Sequence, residues 1–459
     1  MTHTFNPTIL REYDIRGIVG DTLTEDDAYA LGRTYATKAH GEGARRIAVG
    51  RDGRTHSGML EAELIRGLTD GGLDVMQIGM GPSPMLYFGT CEMDVHGGIQ
   101  VTGSHNPSNY NGFKMLLKGR SVFGAEIQEL GERAASGHWH EGSGSVEEVD
   151  IREAYANRLL QDFQGGAFRI GWDAGNGAAG PVLDMLIDRL PGQHYAIYTE
   201  VDGTFPNHHP DPTVEANLAD LKQLVAEKQL DFGIAFDGDG DRIGAVDGQG
   251  RVIWGDQLLA ILAGPVLKAE PGATIIADVK ASQILFDRIA ELGGVPLMWK
   301  TGHSLIKAKM KETGAPLAGE MSGHIFFKHR WYGFDDALYA AVRLIEAVSA
   351  SGKSLTEIMD AMPKSVATPE LRFPVDEPRK FAIIEEVRER LSADGAKVDA
   401  TDGVRVSTPD GWWLLRASNT QDVLVARAEA KDQAGVERLV AQIDEQLAKS
   451  GVKRVEAVH

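Results

Sequence analysis

Phe232-Gly-Ile-Ala-Phe236 and the loop that follows it, Asp237-Gly-Asp-Gly-Asp-Arg242, give the strongest indication of how this chain folds. A short, wholly apolar run of this kind is typical of a strand buried on both faces, as the strands of parallel α/β sheets are. In such sheets the loops that bind ligands follow the carboxyl ends of the strands. The sequence therefore predicts an α/β sheet with a functional loop at residues 237–242.

The same pattern continues along most of the chain, where short apolar runs alternate with segments of helical periodicity. Strands are predicted at residues 47–50, 75–79, 99–102, 168–172, 232–236, 274–277 and 297–299, and helices at 59–68, 214–228, 257–268, 283–292 and 338–348. After residue 370 the prediction changes to antiparallel strands at 404–407, 412–415 and 423–426, with a turn at 409–411 and a helix at 434–449. The predicted fold is three similar α/β domains with mixed, mainly parallel sheets plus a C-terminal α+β domain.

Length and composition limit the class of protein. A chain of 459 residues is expected to form three or four domains, and we predict domains at residues 1–150, 151–252, 253–368 and 369–459. The 47 Lys and Arg against 66 Asp and Glu give a net charge of −19, which argues against binding to nucleic acid or an acidic membrane surface. Cys91 is the only cysteine, and no apolar stretch is long enough to span a membrane. We expect a cytoplasmic protein with neither nucleic acid nor membrane as a partner.

A serine loop follows the predicted strand at 99–102. In Gly98-Ile-Gln-Val-Thr-Gly-Ser-His-Asn-Pro107, Ser104 stands between a glycine and His-Asn-Pro. A tight turn at the end of a parallel strand brings a hydroxyl to a ligand, so Ser104 is a candidate nucleophile. On this local pattern alone, a serine that only turns or caps the chain is the better interpretation.

The loop at residues 237–242 carries three carboxylates separated only by glycine. Because glycine lets the backbone curl and adds no bulk, these carboxylates can converge on one divalent cation. The spacing also begins a Ca²⁺ loop, but Arg242 and Gly248 stand where that loop needs Gly and Glu. Oxygen ligands with no His or Cys nearby favour Mg²⁺ over Zn²⁺. The alternative is a solvated acidic turn.

Gly319-Glu-Met-Ser-Gly-His324 follows another apolar run. Glu320 and Ser322 lie two residues apart, so in an extended segment their side chains face the same way. A paired acceptor and hydroxyl suit the hydroxyl groups of a sugar. His324 is more often a structural histidine than a catalytic one in such a position.

Leu415-Arg-Ala-Ser-Asn-Thr-Gln421 places Arg416, Ser418, Asn419 and Thr420 in the turn between two predicted strands. A guanidinium group with hydroxyls and free backbone N–H groups favours an oxyanion, so the loop is a candidate phosphate site. The alternative is an ordinary hairpin turn, in which Asn and Ser are common.

One pattern competes with these four loops. Gly175-Asn-Gly-Ala-Ala-Gly180 is a complete G-x-G-x-x-G after a predicted strand, with Glu200 about 20 residues further on. It predicts a dinucleotide-dependent oxidoreductase. Pro181 follows the motif at once, and this hypothesis leaves the four other loops unexplained.

Taken in order, the loops resemble the active site of the α-D-phosphohexomutase superfamily, and most of all its bacterial phosphomannomutase/phosphoglucomutase branch. The resemblance runs nearly from end to end. It is carried by Glu12-Tyr-Asp-Ile-Arg-Gly17, Gly50-Arg-Asp-Gly-Arg54, Thr102-Gly-Ser-His-Asn-Pro107, Asp237-Gly-Asp-Gly-Asp-Arg242, Asp278-Val-Lys280, Lys300-Thr-Gly-His-Ser304 and the loops of Glu320 and Arg416.

The resemblance implies four domains arranged around a central cleft, each contributing one loop. Ser104 would be the phosphoserine that gives and recovers the phosphoryl group, and Mg²⁺ would be held by Ser104, Asp237, Asp239 and Asp241. Glu320 and Ser322 would bind O3 and O4 of the sugar, with His324 beside them. The remaining implied sites are a phosphate site of Arg416, Ser418, Asn419 and Thr420, a catalytic set of Ser104, His105, Lys114, Arg242 and His303, and further substrate contacts from Tyr13, Arg16 and Lys280.

The implied activity is reversible phosphoryl transfer between the 1- and 6-positions of mannose and/or glucose phosphates. It would proceed through the phosphoserine and a hexose 1,6-bisphosphate, which also serves as the activating primer. Lys114 and Arg242, together with Mg²⁺, would neutralise charge on the moving group. Lys114, His303 and His324 are three candidates for the general base. The expected partner is a hexose phosphate, and the chain is expected to be a monomer or a homodimer.

Three further hypotheses stay open at this point. A phosphoglucosamine mutase of the same superfamily usually carries Gln where Met321 stands and Ser-Ala where Thr102-Gly103 stands. An aspartyl-phosphate enzyme would use Asp237 as nucleophile, but Asp241 occupies the place where that class usually has Thr or Val. A sugar-phosphate binding protein would bind the same ligands without turnover.

Overall fold

Four β-sheets organise the chain in a computed structural model that describes residues 2–419 and 422–453. Each sheet takes its strands from one continuous part of the sequence. The first contains β1 (Ile15–Ile18), β2 (Arg46–Arg51), β3 (Asp74–Met80), β4 (Gly97–Val101), β5 (Tyr110–Leu117), β6 (Arg120–Ser121) and β7 (Val146–Glu148). The second contains β8 (Phe168–Asp173), β9 (Gly192–Ile197), β10 (Phe232–Phe236), β11 (Ile243–Asp247) and β12 (Val252–Ile253). The third contains β13 (Thr274–Asp278), β14 (Val295–Trp299), β15 (Leu317–Gly319) and β16 (Ile325–Phe327), and the fourth contains β17 (Val366–Ala367), β18 (Leu371–Pro374), β19 (Lys397–Asp399), β20 (Val404–Ser407), β21 (Gly411–Ala417) and β22 (Val423–Ala430).

The first three sheets are mixed and the fourth is antiparallel. Parallel pairing joins β4, β2, β3 and β7 in the first sheet, β10, β8 and β9 in the second, and β14, β13 and β15 in the third. Antiparallel strands are added at one side of each, as β11 is beside β10. In the fourth sheet every pair is antiparallel. The predicted fold class is therefore confirmed.

Helices connect the strands and cover the sheets. They are α1 (Glu25–Gly41), α2 (Ser57–Asp70), α3 (Ser83–Glu92), α4 (Ala125–Ser136), α5 (Arg152–Leu160), α6 (Gly180–Ile187), α7 (Ala219–Lys228), α8 (Gly255–Ala269), α9 (Gln283–Glu291), α10 (His303–Thr313), α11 (Ala337–Ser351), α12 (Leu355–Ala361), α13 (Glu377–Ala393) and α14 (Gln433–Lys449). Among the described residues, none of them combines the length and apolar character needed to cross a bilayer.

The α-helix predicted at residues 214–228 begins later in the structure than the sequence indicates. Its first turn is a 3₁₀ helix, Glu215–Leu218, and the α-helix begins only at Ala219. Asn217 explains the break, because its side-chain amide donates to the carbonyl of Asp211 over 2.9 Å and fixes this turn to the preceding loop. Local side-chain to backbone bonds of this kind compete with regular helix.

One apolar core joins the first three sheets. It contains Leu86 from α3, Trp172 from β8, Phe236 from β10 and Leu338 from α11. The helix α11 follows the third sheet in sequence yet also packs against β10 and β11 of the second. The fourth sheet has its own core and meets the third through Trp412 against Val279. This packing brings the loops at the strand ends to one side, where they line a cleft of about 1200 Å³.

Candidate active site

The cleft receives one loop from each of the four sheets. Ser104 follows β4, the carboxylate loop joins β10 to β11, Glu320 follows β15, and Arg416 lies near the end of β21. Ser104, Glu320 and Arg416 line the same cavity, and Asp237 reaches it through contact with Ser104. The four loops identified in the sequence therefore meet, although they are far apart along the chain.

Ser104 sits in a strained turn beside the carboxylates. It is only 3% exposed and has a φ of +50°, a region that residues other than glycine seldom occupy. Its N–H donates to Thr102 Oγ1 over 2.8 Å, and its hydroxyl donates to Asp237 Oδ2 over 3.2 Å. His105 Nδ1 lies 3.2 Å from the same hydroxyl. Burial, with Arg242 next in effect, lowers the pKa of His105 well below its usual value.

Arg54 holds the serine loop in place, a role that was not predicted from the sequence. Its guanidinium donates to four backbone carbonyls, those of Ser104, Asn106, Pro107 and Tyr110. Asp52 pairs with this guanidinium at 3.2 Å and also accepts the N–H of Gly103 over 3.0 Å. A Cβ at Gly103 would lie 2.3 Å from Arg54 Nε, so glycine is needed there. The motif Gly50-Arg-Asp-Gly-Arg54 was the signal that could have identified this role.

The three carboxylates converge as expected for a metal site. Asp237, Asp239 and Asp241 are completely buried, and their ligand oxygens lie within 4.8 Å of one another. Oδ1 of Asp239 and Oδ1 of Asp241 are buried without a hydrogen-bond partner among the described residues. The turn is tight because Gly240 adopts a φ of +72° and a Cβ there would lie 2.9 Å from Pro82 Cβ. All-oxygen donors and two unpartnered oxygens fit a hard divalent cation such as Mg²⁺.

Burial and mutual repulsion set the charges of this loop. Burial, together with the charges of Asp239 and Asp241, raises the pKa of Asp237 well above its usual value. Lys114 Nζ lies 2.7 Å from Asp239 Oδ2 and also contacts Asp241 Oδ2. Burial alone would lower the pKa of Lys114, but the two carboxylates outweigh it and raise that pKa well above the usual value. These contacts hold the ammonium group of Lys114 between the two carboxylates.

Arg242 and a pair of histidines lie next to the carboxylate loop. Arg242 Nε donates to His324 Nε2 over 3.0 Å, and the rings of His324 and His303 stack with centroids 5.7 Å apart. His324 Nδ1 lies 3.2 Å from Asp335 Oδ2, and His303 Nδ1 lies 3.9 Å from the same oxygen. Burial, followed by the charge of Lys307, lowers the pKa of His303 well below its usual value.

Asp335 was not identified from the sequence, although its carboxylate lies beside both histidines. It is completely buried, and Lys307 Nζ donates to its other oxygen, Oδ1, over 3.0 Å. Asp241, His324 and Asp335 form a second group of potential metal ligands that shares Asp241 with the first. Because Lys307 already neutralises Asp335, this second group is the poorer cation site.

Two hydrogen bonds from backbone N–H groups hold the loop of Glu320 in place. Glu320 is 2% exposed, its Oε1 accepts the N–H of Gly302 over 2.6 Å, and burial raises its pKa. Met321 N–H donates to Asp278 Oδ1 over 3.2 Å, which fixes the turn. Ser322 is half-buried and lines the cleft beside Glu320. The geometry leaves a carboxylate and a hydroxyl facing one cavity.

The predicted phosphate loop presents its cation toward the cleft. Arg416 is 5% exposed, and its Nε donates to Asp402 Oδ2 over 3.0 Å. The N–H of Ser418 donates to the carbonyl of Val423 over 3.0 Å. Asn419 Nδ2 donates to the hydroxyl of Tyr13 over 2.6 Å. Thr420, the fourth predicted member of this loop, lies outside the described residues.

The remaining predicted contacts also line the cleft. Arg16 is buried and donates to Asn106 Oδ1 over 2.8 Å, so it touches the serine loop. Lys280 Nζ lies 3.4 Å from Glu370 Oε2 across the junction between the third and fourth sheets. Burial raises the pKa of the Tyr13 hydroxyl.

The glycine-rich loop that suggested a dinucleotide site is used for packing. The N–H groups of Asn176, Gly177 and Ala178 already donate to the carbonyls of Tyr198, Ala174 and Gly238. The N–H of Gly175 donates to Asp173 Oδ1 over 2.9 Å. With these donors bound within the protein, the loop supports the carboxylate turn and has none of these amides free for a pyrophosphate.

Comparison with known proteins agrees with the geometry along nearly the whole chain. Family models described as Phosphoglucomutase/phosphomannomutase alpha/beta/alpha domains I, II and III match residues 7–140, 151–250 and 254–366, and that of the C-terminal domain matches residues 370–446. The chain is 46% identical over 445 residues to a phosphomannomutase/phosphoglucomutase of Pseudomonas aeruginosa, covering 97% of this chain and 96% of that protein. It is 46% identical over 441 residues to a phosphoglucomutase of Neisseria gonorrhoeae, covering 94% and 95%.

A solved structure of similar sequence has the same architecture. A phosphoglucomutase/phosphomannomutase family protein from Burkholderia thailandensis superimposes with a TM-score of 0.93 at 41% identity, over 98% of both chains. The sequence comparisons and the structural comparison therefore indicate the same family.

Proposed function

The chain belongs to the phosphoglucomutase/phosphomannomutase family of isomerases, and we propose that it moves a phosphoryl group between the 1- and 6-positions of mannose and glucose phosphates through a phosphoserine at Ser104. Homologues named phosphomannomutase/phosphoglucomutase support hexose phosphate mutase activity. The observation that carries the detailed proposal is the contact between the loops of Ser104 and Asp237, whose side chains approach to 3.2 Å inside the shared cleft.

Mg²⁺ is the proposed metal. Asp237, Asp239 and Asp241 would hold it, with Ser104 or its phosphate completing the protein ligands, and the unpartnered carboxylate oxygens support this assignment. When bound, the ion supplies a positive charge that stabilises the negative charge of phosphoryl transfer. Arg242 and Lys114 lie beside the same carboxylates and contribute further positive charge.

The reaction is proposed to run in two balanced steps. First the P–O bond to Ser104 breaks and a P–O bond forms to the free hydroxyl of a hexose 1-phosphate, whose proton passes to a general base. The hexose 1,6-bisphosphate then turns over in the cleft, and its 1-phosphoryl group returns to Ser104 while the proton is given back. Glu320 and Ser322 would hold O3 and O4, and Arg416 would hold the phosphate that is not moving. Mannose and glucose differ only at C2, and the proposed contacts to O3, O4 and the phosphate would not distinguish them.

His324 is the best placed of the three candidates for the general base. Its Nδ1 lies 3.2 Å from Oδ2 of the buried Asp335, so a carboxylate stands beside the ring on the side away from Arg242. Nε2 accepts a hydrogen bond from Arg242 Nε over 3.0 Å, which places this nitrogen beside the carboxylate loop. His303 is 3.9 Å from the same carboxylate, and Lys114 is committed to two carboxylates.

Replacing His324 with Gln is expected to lower kcat by about 10²- to 10⁴-fold with little change in KM, because the side chain keeps its shape and loses its basicity. His303→Gln is the matched comparison, since this ring stacks on His324 within the same cleft, and its kcat is expected to fall less. Steady-state kinetics of both variants make the measurement. A larger loss of kcat in His303→Gln would transfer the role to that residue.

The substrate assignment can be tested by measuring initial rates with mannose, glucose and glucosamine 1-phosphates side by side, with Mg²⁺ and a bisphosphate primer. Turnover of the first two at comparable rates is expected, because Glu320 and Ser322 lie on the part of the site that would read O3 and O4. Preference for glucosamine 1-phosphate would replace the proposal with a phosphoglucosamine mutase. Binding of all three without turnover would instead indicate a sugar-phosphate binding protein.

A further inference from the structure

The dipeptide Thr301-Gly302 contacts the loop of Glu320 directly and the loop of Arg416 through Asp402 and Tyr13. It lies between β14 and α10, next to His303. The N–H of Thr301 donates to Asp402 Oδ2 over 3.0 Å, and its carbonyl accepts the hydroxyl of Tyr13 over 2.8 Å. The following N–H, that of Gly302, donates to Glu320 Oε1 over 2.6 Å. The backbone groups of these two residues thus contact the loop of Glu320, Tyr13 of the first domain and Asp402 of the fourth.

Asp402 connects this peptide to the phosphate loop. The carboxylate oxygen that accepts the N–H of Thr301 also accepts Arg416 Nε, again over 3.0 Å. Within residues 2–419 and 422–453, Asp402 is the only hydrogen-bond partner found for the side chain of Arg416. Gly403 permits the approach, since a Cβ there would lie 2.6 Å from Arg416 Cβ.

The second link between the loops runs through Tyr13. Its hydroxyl donates to the carbonyl of Thr301 and accepts Asn419 Nδ2 from the phosphate loop. Its ring packs on Gly302, where an added Cβ would lie 2.5 Å from Tyr13 Cζ. The position of the Thr301–Gly302 peptide is therefore set by the phosphate loop from two directions.

The carboxylate of Glu320 depends on the position of that peptide. Glu320 is 2% exposed, and the N–H of Gly302 is the one backbone donor to its side chain among the described residues. A buried charged group without its hydrogen bond loses a large part of its stabilisation. A shift of Thr301 away from Asp402 would thus disturb the group proposed to bind O3.

We propose that Asp402 is a positioning residue that couples the two parts of substrate recognition. By accepting both Arg416 Nε and the N–H of Thr301 with one oxygen, it links the position of Glu320 in the proposed sugar site to that of Arg416 in the proposed phosphate site. The inference rests on the proposed function and deepens it. A mutase must bind its substrate in two orientations, and this coupling keeps the sugar site and the phosphate site at a fixed relative position in both.

The test compares the binding of glucose 6-phosphate and its 3-deoxy analogue by calorimetry. Ser104→Ala is used as the starting protein so that no turnover occurs, and Asp402→Ala or Asp402→Asn is added to it. In the starting protein, loss of the 3-hydroxyl is expected to weaken binding about tenfold or more, because Glu320 loses a partner. With Asp402→Ala, the same loss is expected to cost less than about threefold, and Asp402→Asn, which keeps the shape, should lie between.

Equal penalties for the missing hydroxyl in all three proteins would overturn the coupling and leave Asp402 as a support for Arg416 alone. Thermal unfolding checks that the variants are folded, and Asp402→Asn carries the test if Asp402→Ala does not fold. Asp394 is an exposed residue after α13, so Asp394→Asn removes the same charge from the fourth domain. This control should change neither the affinity for glucose 6-phosphate nor that for its 3-deoxy analogue.

Failure of the proposed function would give a different result. Arg416→Ala in the Ser104→Ala protein is expected to weaken binding of glucose 6-phosphate about tenfold or more, since it removes a charge-assisted contact. No binding by the starting protein, or an unchanged Kd for Arg416→Ala, would contradict the phosphate site and with it both proposals. If Arg416→Ala weakens binding as expected, but loss of the 3-hydroxyl weakens binding equally with and without the Asp402 substitutions, only the coupling is overturned.

Discussion

Ser104→Ala is expected to abolish mutase turnover, with kcat at least about 10⁴-fold below that of the unaltered protein, because the variant has no atom that can accept and return the phosphoryl group. Affinity for hexose phosphates should change little. Ser104 is proposed to act on the moving group, whereas Glu320 and Arg416 are proposed to bind the parts that stay in place. The backbone of the loop is also expected to persist, since Arg54 holds it through carbonyl groups that the substitution leaves intact.

Kinetics and mass spectrometry together test this expectation. Freshly purified protein should carry one phosphate that peptide mapping places on Ser104, and the Ser104→Ala variant should carry none. Ser108→Ala is the matched control, because Ser108 is an exposed serine of the same loop and should retain both phosphate and turnover. Phosphate on Asp237, or substantial turnover by the Ser104→Ala variant, would contradict the phosphoserine mechanism and favour an aspartyl-phosphate enzyme.

Much of the fold was predictable because its signals are local. The run at residues 232–236 was predicted as a strand, and β10 has these same bounds. The carboxylates of Asp237, Asp239 and Asp241 lie together because their spacing is short and glycine separates them, which sequence alone displays. The family resemblance added the order of the four loops, and its prediction of the family and the fold class is confirmed.

The groups that hold the site together were not predictable in the same way, because they act across long separations. Arg54 reaches the carbonyl of Ser104 from 50 residues away, and Lys114 meets Asp241 from 127 residues away. Asp335 and Asp402 belong to no motif that the sequence shows. Only the fold places Asp335 against His324 and Lys307, and Asp402 against Arg416 and the N–H of Thr301. A local pattern indicates which residues can do chemistry, whereas packing decides which residues orient them.

Asp241→Asn is expected to produce the second large loss, seen as a fall of at least about 100-fold in apparent Mg²⁺ affinity. Even partners outside the first coordination shell typically cost about 10- to 100-fold when they are replaced, and Asp241 is proposed to be a direct ligand. Asn preserves the shape of the side chain while removing its charge. Turnover at ordinary Mg²⁺ concentrations should therefore collapse and should recover in part when Mg²⁺ is raised.

The charge arrangement explains why the loop is expected to need a cation. Three fully buried carboxylates within 4.8 Å repel one another, and Lys114 contacts only Asp239 and Asp241. Asp188→Asn, which removes an exposed charge from the same domain, is the matched control and should titrate with Mg²⁺ as the unaltered protein does. Full activity of the unaltered protein after exhaustive chelation would contradict the metal site. An Asp241→Asn variant that saturates at an unchanged Mg²⁺ concentration would show that Asp241 is not a ligand.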